Sequence, residues 1–302
     1  MSNSMQTWPY AVAKAKREHK KPCAYNIYFG DILVGMTFVF EIKWGPLHLI
    51  EIKRGPLMLK DGLDVLKDQS EFFRLFSEAL NKKYPRRWLR WRQWLSDVNC
   101  KQSDLKSEFG HSAIEKLDWT LSDETYSTGL VDLKKSKEDL LRSFNSKWRN
   151  CLRKSQKQNL NVKIETDLEK IKTFIHLQNQ YQQIKKFKSY SAQFLKEELV
   201  LQNALKSFFI VSAYDPEDKK LIASILITFH GQGATYRASF NTDLGRRKNA
   251  HYLLIWHAIL ELKSRNLEFL DLGGFLENEA PHVDHFKQGL NPQVLFSSGL
   301  WK

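Results

Sequence analysis

Short apolar runs punctuated by turn residues organise the first part of the chain. Ala24 to Phe29 reads as a strand, Gly30-Asp31 as a tight turn, and Ile32 to Glu41 as a second strand. Leu47 to Ile52 predicts a third, closed by the breaker Arg54-Gly55-Pro56. From Asp64 to Lys82 the pattern changes to helical spacing, with Val65, Phe72, Phe73, Phe76 and Leu80 as the apolar set. The second half repeats this order. Ser207 to Tyr214 and Leu221 to His230 are predicted strands around an Asp215-Pro216-Glu217-Asp218 turn, and Gly231-Gln232-Gly233 turns the chain into Ala234 to Phe240. A helix is expected from about Lys248 to Ser264, with Tyr252, Leu253, Trp256, Ile259, Leu260 and Lys263 on one face; Leu267 to Leu272 then reads as a buried strand ending in Gly273-Gly274.

Two long helical stretches are expected between the halves. Ser136, with Asp139 three residues on, caps the first, whose stripe is Leu140, Leu141, Phe144, Trp148 and Leu152. Thr166 with Glu169 opens the second, which runs to about Phe187. Tyr84 to Trp94 interleaves arginines with tryptophans; it reads as a strand with Trp88 and Trp94 on one face, or as a surface for stacking bases or meeting a membrane.

Composition adds one strong clue. Forty-seven Lys plus Arg against 34 acids give a formal charge of +13, a field that attracts polyanions such as RNA, nucleotides or anionic lipid head groups. Aromatic residues make up 13 % of the chain, too many for a disordered one. Cys23, Cys100 and Cys151 lie far apart without metal-ligand spacing, which fits a reducing compartment. No apolar run approaches the ~20 residues of a membrane span, and Met1 to Tyr10 has no secretory pattern, so a soluble, cytoplasmic protein is expected.

Three stretches carry a family resemblance. The first runs from Ser143 to Lys154 (SFNSKWRNCLRK), followed by Asn159-Leu160-Asn161-Val162. The second joins Ala234-Thr235-Tyr236-Arg237-Ala238-Ser239 to a helix opening Asn249-Ala250-His251-Tyr252 and bearing Trp256. The third is Phe269-Leu270-Asp271-Leu272-Gly273-Gly274, then Phe286-Lys287-Gln288-Gly289-Leu290. Together they resemble the FemAB aminoacyltransferases that build peptidoglycan cross-bridges. The resemblance covers residues 136–302 and is faint before them. It implies an α/β (α+β) fold of two tandem GNAT-like N-acyltransferase domains with mixed, largely antiparallel sheets. The expected division is 1–135, a degenerate precursor-binding half, and 136–302, the donor-binding and catalytic half.

The implied reaction moves an aminoacyl group from aminoacyl-tRNA to an amine of a UDP- or lipid-linked muropeptide, with peripheral contact at the inner membrane surface. No cofactor is expected. An acyl-coenzyme A enzyme and a non-catalytic RNA- or membrane-binding protein are the rival readings. Acyl transfer needs a cation where the tetrahedral oxygen forms, and Lys287, between Phe286 and Gln288-Gly289, is the candidate, with Phe286 excluding water. Asp271, at a strand end, either contacts ligand or caps the Gly273-Gly274 turn. The loop from Thr242 to Asn249 should present free N–H groups, with Arg246 and Arg247 adding charge. Asn249 stands where coenzyme A enzymes of this fold have a glycine; its side chain would crowd a pyrophosphate. Tyr236, Arg149 and Arg153 complete the substrate-binding set, the two arginines sharing a helix face. The resemblance also implies an N-terminal Trp-x-x-x-Lys pattern that would add Lys14 to this set, but Tyr10 stands where the family often has the Trp. His282, Asp284 and His285 make half a metal site without a third ligand at persuasive spacing, so no metal is expected.

Overall fold

A computed structural model describes residues 4–59, 69–85, 87–94, 121–122, 126–185, 190–275 and 281–301. The chain divides into two compact units, residues 1–127 with 295–302, and residues 128–294. The division thus falls a few residues before the expected 135/136 join, and the last strand returns to the first unit.

The first unit opens with α1 (Trp8–Glu18), a helix that the alternation of strands did not suggest. Its buried side, Tyr10, Ala11, Ala13 and Ala15, is mostly alanine and therefore weak in hydrophobic periodicity, while alanine itself favours helix. His19, in the left-handed conformation, ends it. Next come strands β1 (Lys21–Phe29), β2 (Ile32–Trp44), β3 (Leu47–Lys53), β4 (Leu57–Met58), β5 (Arg87–Trp94) and β6 (Leu121–Ser122), with α2 (Gln69–Lys83) between β4 and β5; β1, β2, β3, α2 and β5 follow the predicted order, whereas β4 and β6 were not expected. The sheet runs β1-β2-β3-β5-β13, where β13 is Gln293–Trp301; β4 lies on β2 and β6 on β13. Val39, Ile50 and Ile52 pack under Phe76, Leu80 and Tyr84. The expected start of α2 at Asp64, with Val65, lies outside the described residues, as does Cys100.

The second unit comprises β7 (Ser127–Asp132), α3 (Lys137–Ser143), α4 (Ser146–Gln156), β8 (Asn161–Glu165), α5 (Leu168–Lys185), α6 (Ala192–Ala204), β9 (Phe208–Tyr214), β10 (Leu221–His230), β11 (Gly233–Asn241), α7 (Asp243–Arg247), α8 (Ala250–Ser264), β12 (Phe269–Gly274) and α9 (Pro281–Gln288). Its sheet order is β7-β12-β11-β10-β9-β8. Among the described residues of this sheet only β11 and β12 pair in parallel, from Gly233↔Phe269 to Thr235↔Asp271, and both strands continue past the last paired residues. The other ladders of this sheet that bear on the site are antiparallel.

Three details differ from the sequence expectations. The helix expected from Ser136 is two helices: Phe144 takes an extended conformation and Asn145 recaps the chain, its side chain accepting from Lys147 N–H. Phe144 and Trp148 still reach one core, which is why the stripe read as continuous. Asp167, not Thr166, supplies the cap hydrogen bond to Lys170 N–H at the start of α5. Helix α8 is buried on more than one face, with Leu253, Leu254, Ile255, Trp256, Ala258, Ile259 and Leu262 all in the core, so no single stripe describes it. Among the described residues no helix is long and apolar enough to cross a membrane.

Candidate functional site

The Asp-x-Gly-Gly segment ends β12 in an irregular turn. Asp271 is buried, and its Oδ1 accepts from Gly273 N–H at 2.8 Å and from the Thr128 hydroxyl at 2.5 Å. Gly273 has φ +74°, a conformation that costs a side-chain-bearing residue and is open to glycine. The pairing of β12 with β7 shifts register between Asp271 and Gly274. Asp271 therefore does what the turn-capping alternative required: it fixes the strand end.

The turned segment meets α9. Lys287, only 6 % exposed, donates from Nζ to the Gly274 carbonyl at 2.6 Å, and the amine lies 5.9 Å from the centre of the Phe275 ring. Burial pulls this amine down to about 8; the fields of Asp284 and Asp271 act in the opposite direction. Among the described residues no carboxylate forms an ion pair with it. The result is a buried cation, near the point where β11 and β12 stop pairing, whose hydrogen-bonded partner is a neutral carbonyl.

Phe286 points to the other side of α9. Its ring packs edge-on to Tyr252 at 5.1 Å and lies 6.3 Å from both Trp148 and His251. His251 donates from Nε2 to the Phe240 carbonyl at 3.0 Å, and burial pulls its imidazole down to about 4, with Arg246 adding to the effect. Gly289 presses on Trp148: a Cβ there would lie 2.7 Å from the indole Cδ1.

The expected donor loop is different in kind. It forms the short helix α7, capped by the Thr242 hydroxyl accepting from Gly245 N–H. Arg246, Lys248 and Asn249 donate their backbone N–H groups to Thr242, Leu244 and Arg246. The loop was expected to present free N–H groups, yet these four are used inside the turn. Arg246 spans Asp243, the Asn241 carbonyl and Tyr181, while Arg247 is exposed. Asn249 sits in the left-handed region, φ 54°, the backbone shape of the glycine it replaces. Tyr236 is on β11; burial raises its hydroxyl to about 12, and it donates to Ser239 Oγ.

Arg149 holds the Arg142 carbonyl and Arg153 holds Asn150 Oδ1, both on the open side of α4. Lys14 belongs to the first unit. It is buried between Glu18 and Glu51; burial and the nearby Lys53 pull it down to about 8 while the two carboxylates oppose them. Its charge is thus committed to a network that also takes in Lys20 and Lys53.

Sequence reasoning missed the pair at the middle of the second unit. Arg237 and Glu198 are both buried and form a forked ion pair, Nη2 to Oε1 and Oε2 at 2.9 and 2.8 Å, with the guanidinium 4.1 Å over the Tyr190 ring. A charged residue inside an apolar strand and a carboxylate among Phe194, Leu195 and Leu199 of α6 were the signals that could have exposed it. Among the described residues no cluster of three His, Cys, Asp or Glu side chains is placed to hold a metal.

The sequence matches no protein-family model and no curated protein. Solved structures share the fold. FemX superposes with a TM-score of 0.79 at 12 % identity, covering 99 % of this chain and 91 % of its own. A tandem GNAT protein from the clavulanic acid biosynthesis pathway gives 0.53 at 13 % identity over 93 % and 82 %, and L-PGS from Bacillus licheniformis 0.52 at 10 % over 96 % and 90 %. The likeness to FemX and to a tandem GNAT protein shows that the chain has the expected α/β fold, which those structures share.

Proposed function

We propose that the protein is an aminoacyltransferase that moves an aminoacyl group from aminoacyl-tRNA to an amine of a peptidoglycan precursor, working in the cytoplasm. The observation that carries this reading is the Lys287 amine, buried and held on the Gly274 carbonyl beside the open end of the β11/β12 pair. In the reaction the acceptor nitrogen attacks the ester carbonyl carbon and the carbonyl oxygen becomes an oxyanion. The C–O bond to the ribose then breaks, and the proton shed by nitrogen balances the released hydroxyl. A preorganised cation in a dry setting stabilises that oxyanion more than it stabilises the ground-state ester. Phe286, Tyr252 and Trp148 line up as the wall that keeps α9 in place. In this reading the second unit holds the donor and the first the precursor. Arg149, Arg153, Arg246 and Arg247 lend positive field to a polyanionic donor, and Asp271 positions the strand end.

The fold shared with FemX supports the reading, and Asn249 favours a donor other than coenzyme A, because its side chain occupies the left-handed turn where a glycine would let a pyrophosphate approach. The test is to offer purified protein charged tRNA with candidate muropeptides and to look by mass spectrometry for one added residue, abolished by RNase. Transfer from acyl-coenzyme A with thiol release, and none from charged tRNA, would overturn the donor assignment.

A further inference from the structure

One face of the first unit's sheet changes character along its length. Trp44 pairs with Leu47, and Ile42, Leu49 and Trp88 stand level across β2, β3 and β5. Residues level with one another across a ladder point to the same side, so these five apolar side chains share a face. Phe38 and Phe40 continue it inward, under α1. The Trp8 and Phe38 rings lie 6.0 Å apart, and the Lys14 amine lies 5.5 Å from the centre of the Phe40 ring. The cover ends at that level, where Lys20, just past α1, pairs with Glu51 opposite Phe40. Beyond it Trp44 is 74 % exposed, Trp88 59 % and Leu47 37 %. Single apolar residues on a surface mean little, whereas a contiguous set headed by two tryptophans marks a contact surface.

Cations ring this tip. Arg17 on the last turn of α1, Lys21 at the start of β1, Lys43 beside Trp44 and Lys82 on the last turn of α2 are all exposed. Lys21 is level with Glu41, three residues from Trp44. The rings of His48 and Tyr84, 5.7 Å apart, bring the end of α2 to the same edge of the sheet. The described carboxylates on these elements are already engaged: Glu18 and Glu51 with Lys14 and Lys20, Glu78 with Arg74, and Glu41 as acceptor from Tyr25 and Tyr84. The field around the tip is therefore positive. Tyr28, Phe29, Ile32 and Leu33, at the opposite end of β2, are also exposed, yet the charged residue among them is Asp31.

We propose that the Trp44 end of the first unit docks on an anionic lipid surface. Trp44, Leu47 and Trp88 enter the head-group layer, where an indole can bury its ring and keep its N–H wet. The surrounding cations meet lipid phosphates. Charge argues against a second copy of the chain, since an isologous contact would set the cation ring against itself. A single-stranded nucleic acid needs aromatic faces along a groove, whereas this surface is a protruding turn whose remaining side chains are aliphatic. The docking surface is independent of Lys287 and of acyl transfer.

Co-sedimentation of the full chain with vesicles tests the proposal. The chain should bind saturably to phosphatidylcholine vesicles carrying about one-third phosphatidylglycerol, with a blue shift of tryptophan emission, and release as salt rises. Pure phosphatidylcholine should retain little of it. Trp44→Ala with Trp88→Ala should weaken binding about tenfold or more, and Lys21→Gln with Lys43→Gln about fivefold for each charge removed. Ile32→Ser, at the opposite tip, should bind as the parent does. If the double tryptophan variant does not fold, Trp44→Ala alone carries the same test, its side chain being mostly in solvent. Absence of binding to the anionic vesicles, equal binding to the neutral ones, or tryptophan variants that bind like the parent would overturn the proposal. So would a blue shift produced by polyuridylate but not by vesicles, which would make the surface one for RNA.

Discussion

Replacing Lys287 by Met separates catalysis from folding in one variant. Holding an amine at about 8 rather than 10.5 corresponds to about 3 kcal/mol of unfavourable burial in the charged form. Methionine removes that cost and keeps the length of the side chain. It also deletes the hydrogen bond to Gly274, and a charged donor of this kind contributes about 1.5–3 kcal/mol. The two nearly cancel, so the variant should be as stable as the parent at pH 7, or up to about 1.5 kcal/mol more stable. For units of this size that is a rise in Tm of about 0–6 °C. Turnover should fall by about a hundredfold or more, as when an oxyanion donor is removed elsewhere. Denaturant titration and transfer rates, measured on the same preparation, check both. A variant that retains activity refutes the oxyanion role. A variant that loses more than about 2 kcal/mol together with its activity makes Lys287 a structural residue.

With Lys287 cationic below about 8 and neutral above, transfer should decline as pH rises through that value; Lys287→Arg, which stays charged, should lose the decline while keeping part of the rate. Glu198→Ala leaves the Arg237 guanidinium buried without its carboxylate and should cost about 3–5 kcal/mol in urea unfolding. Gly289→Ala drives a methyl into Trp148 Cδ1 and should cost about 1–3 kcal/mol, with a changed Trp148 indole signal. His251 is neutral in the fold down to about 4 but protonates near 6.5 when unfolded. The unfolded chain therefore binds the extra proton between those values, and stability should fall by up to about 3 kcal/mol as pH drops from 6.5 to 4. Unfolding curves of His251→Phe over that range should be flatter.

The elements that sequence reading located best are those whose burial alternates or runs unbroken. Leu221 to His230 is a strand with the predicted limits because nearly every residue is buried between two layers. Alpha1 escaped because alanines carry little hydrophobic signal, and α6 because Glu198 and Gln202 stand on its buried side. Both polar side chains find partners: Glu198 takes Arg237, and the Gln202 Oε1 accepts from the Ser207 hydroxyl. No one-dimensional pattern announces a partner 39 positions away. The split at Phe144 was hidden for the opposite reason, since its ring and that of Trp148 pack 4.9 Å apart on both sides of the break.

The site shows the same division between residue type and residue company. Lys14 and Lys287 are both helical lysines, both buried, and both pulled down to about 8. Lys14 sits among carboxylates: Glu18 and Glu51 bind it, and Glu51 is itself held at about 2, where burial pushing it up is outweighed by Lys53, Lys14 and Lys20. A charge neutralised in this way has little field left to offer a ligand. Lys287 has a neutral carbonyl within hydrogen-bond reach and its aspartates farther off. Its charge is therefore uncompensated at short range, which destabilises the empty fold and would strengthen any anion formed against it. The same low-dielectric setting produces both effects, so a residue of this kind persists where the second outweighs the first.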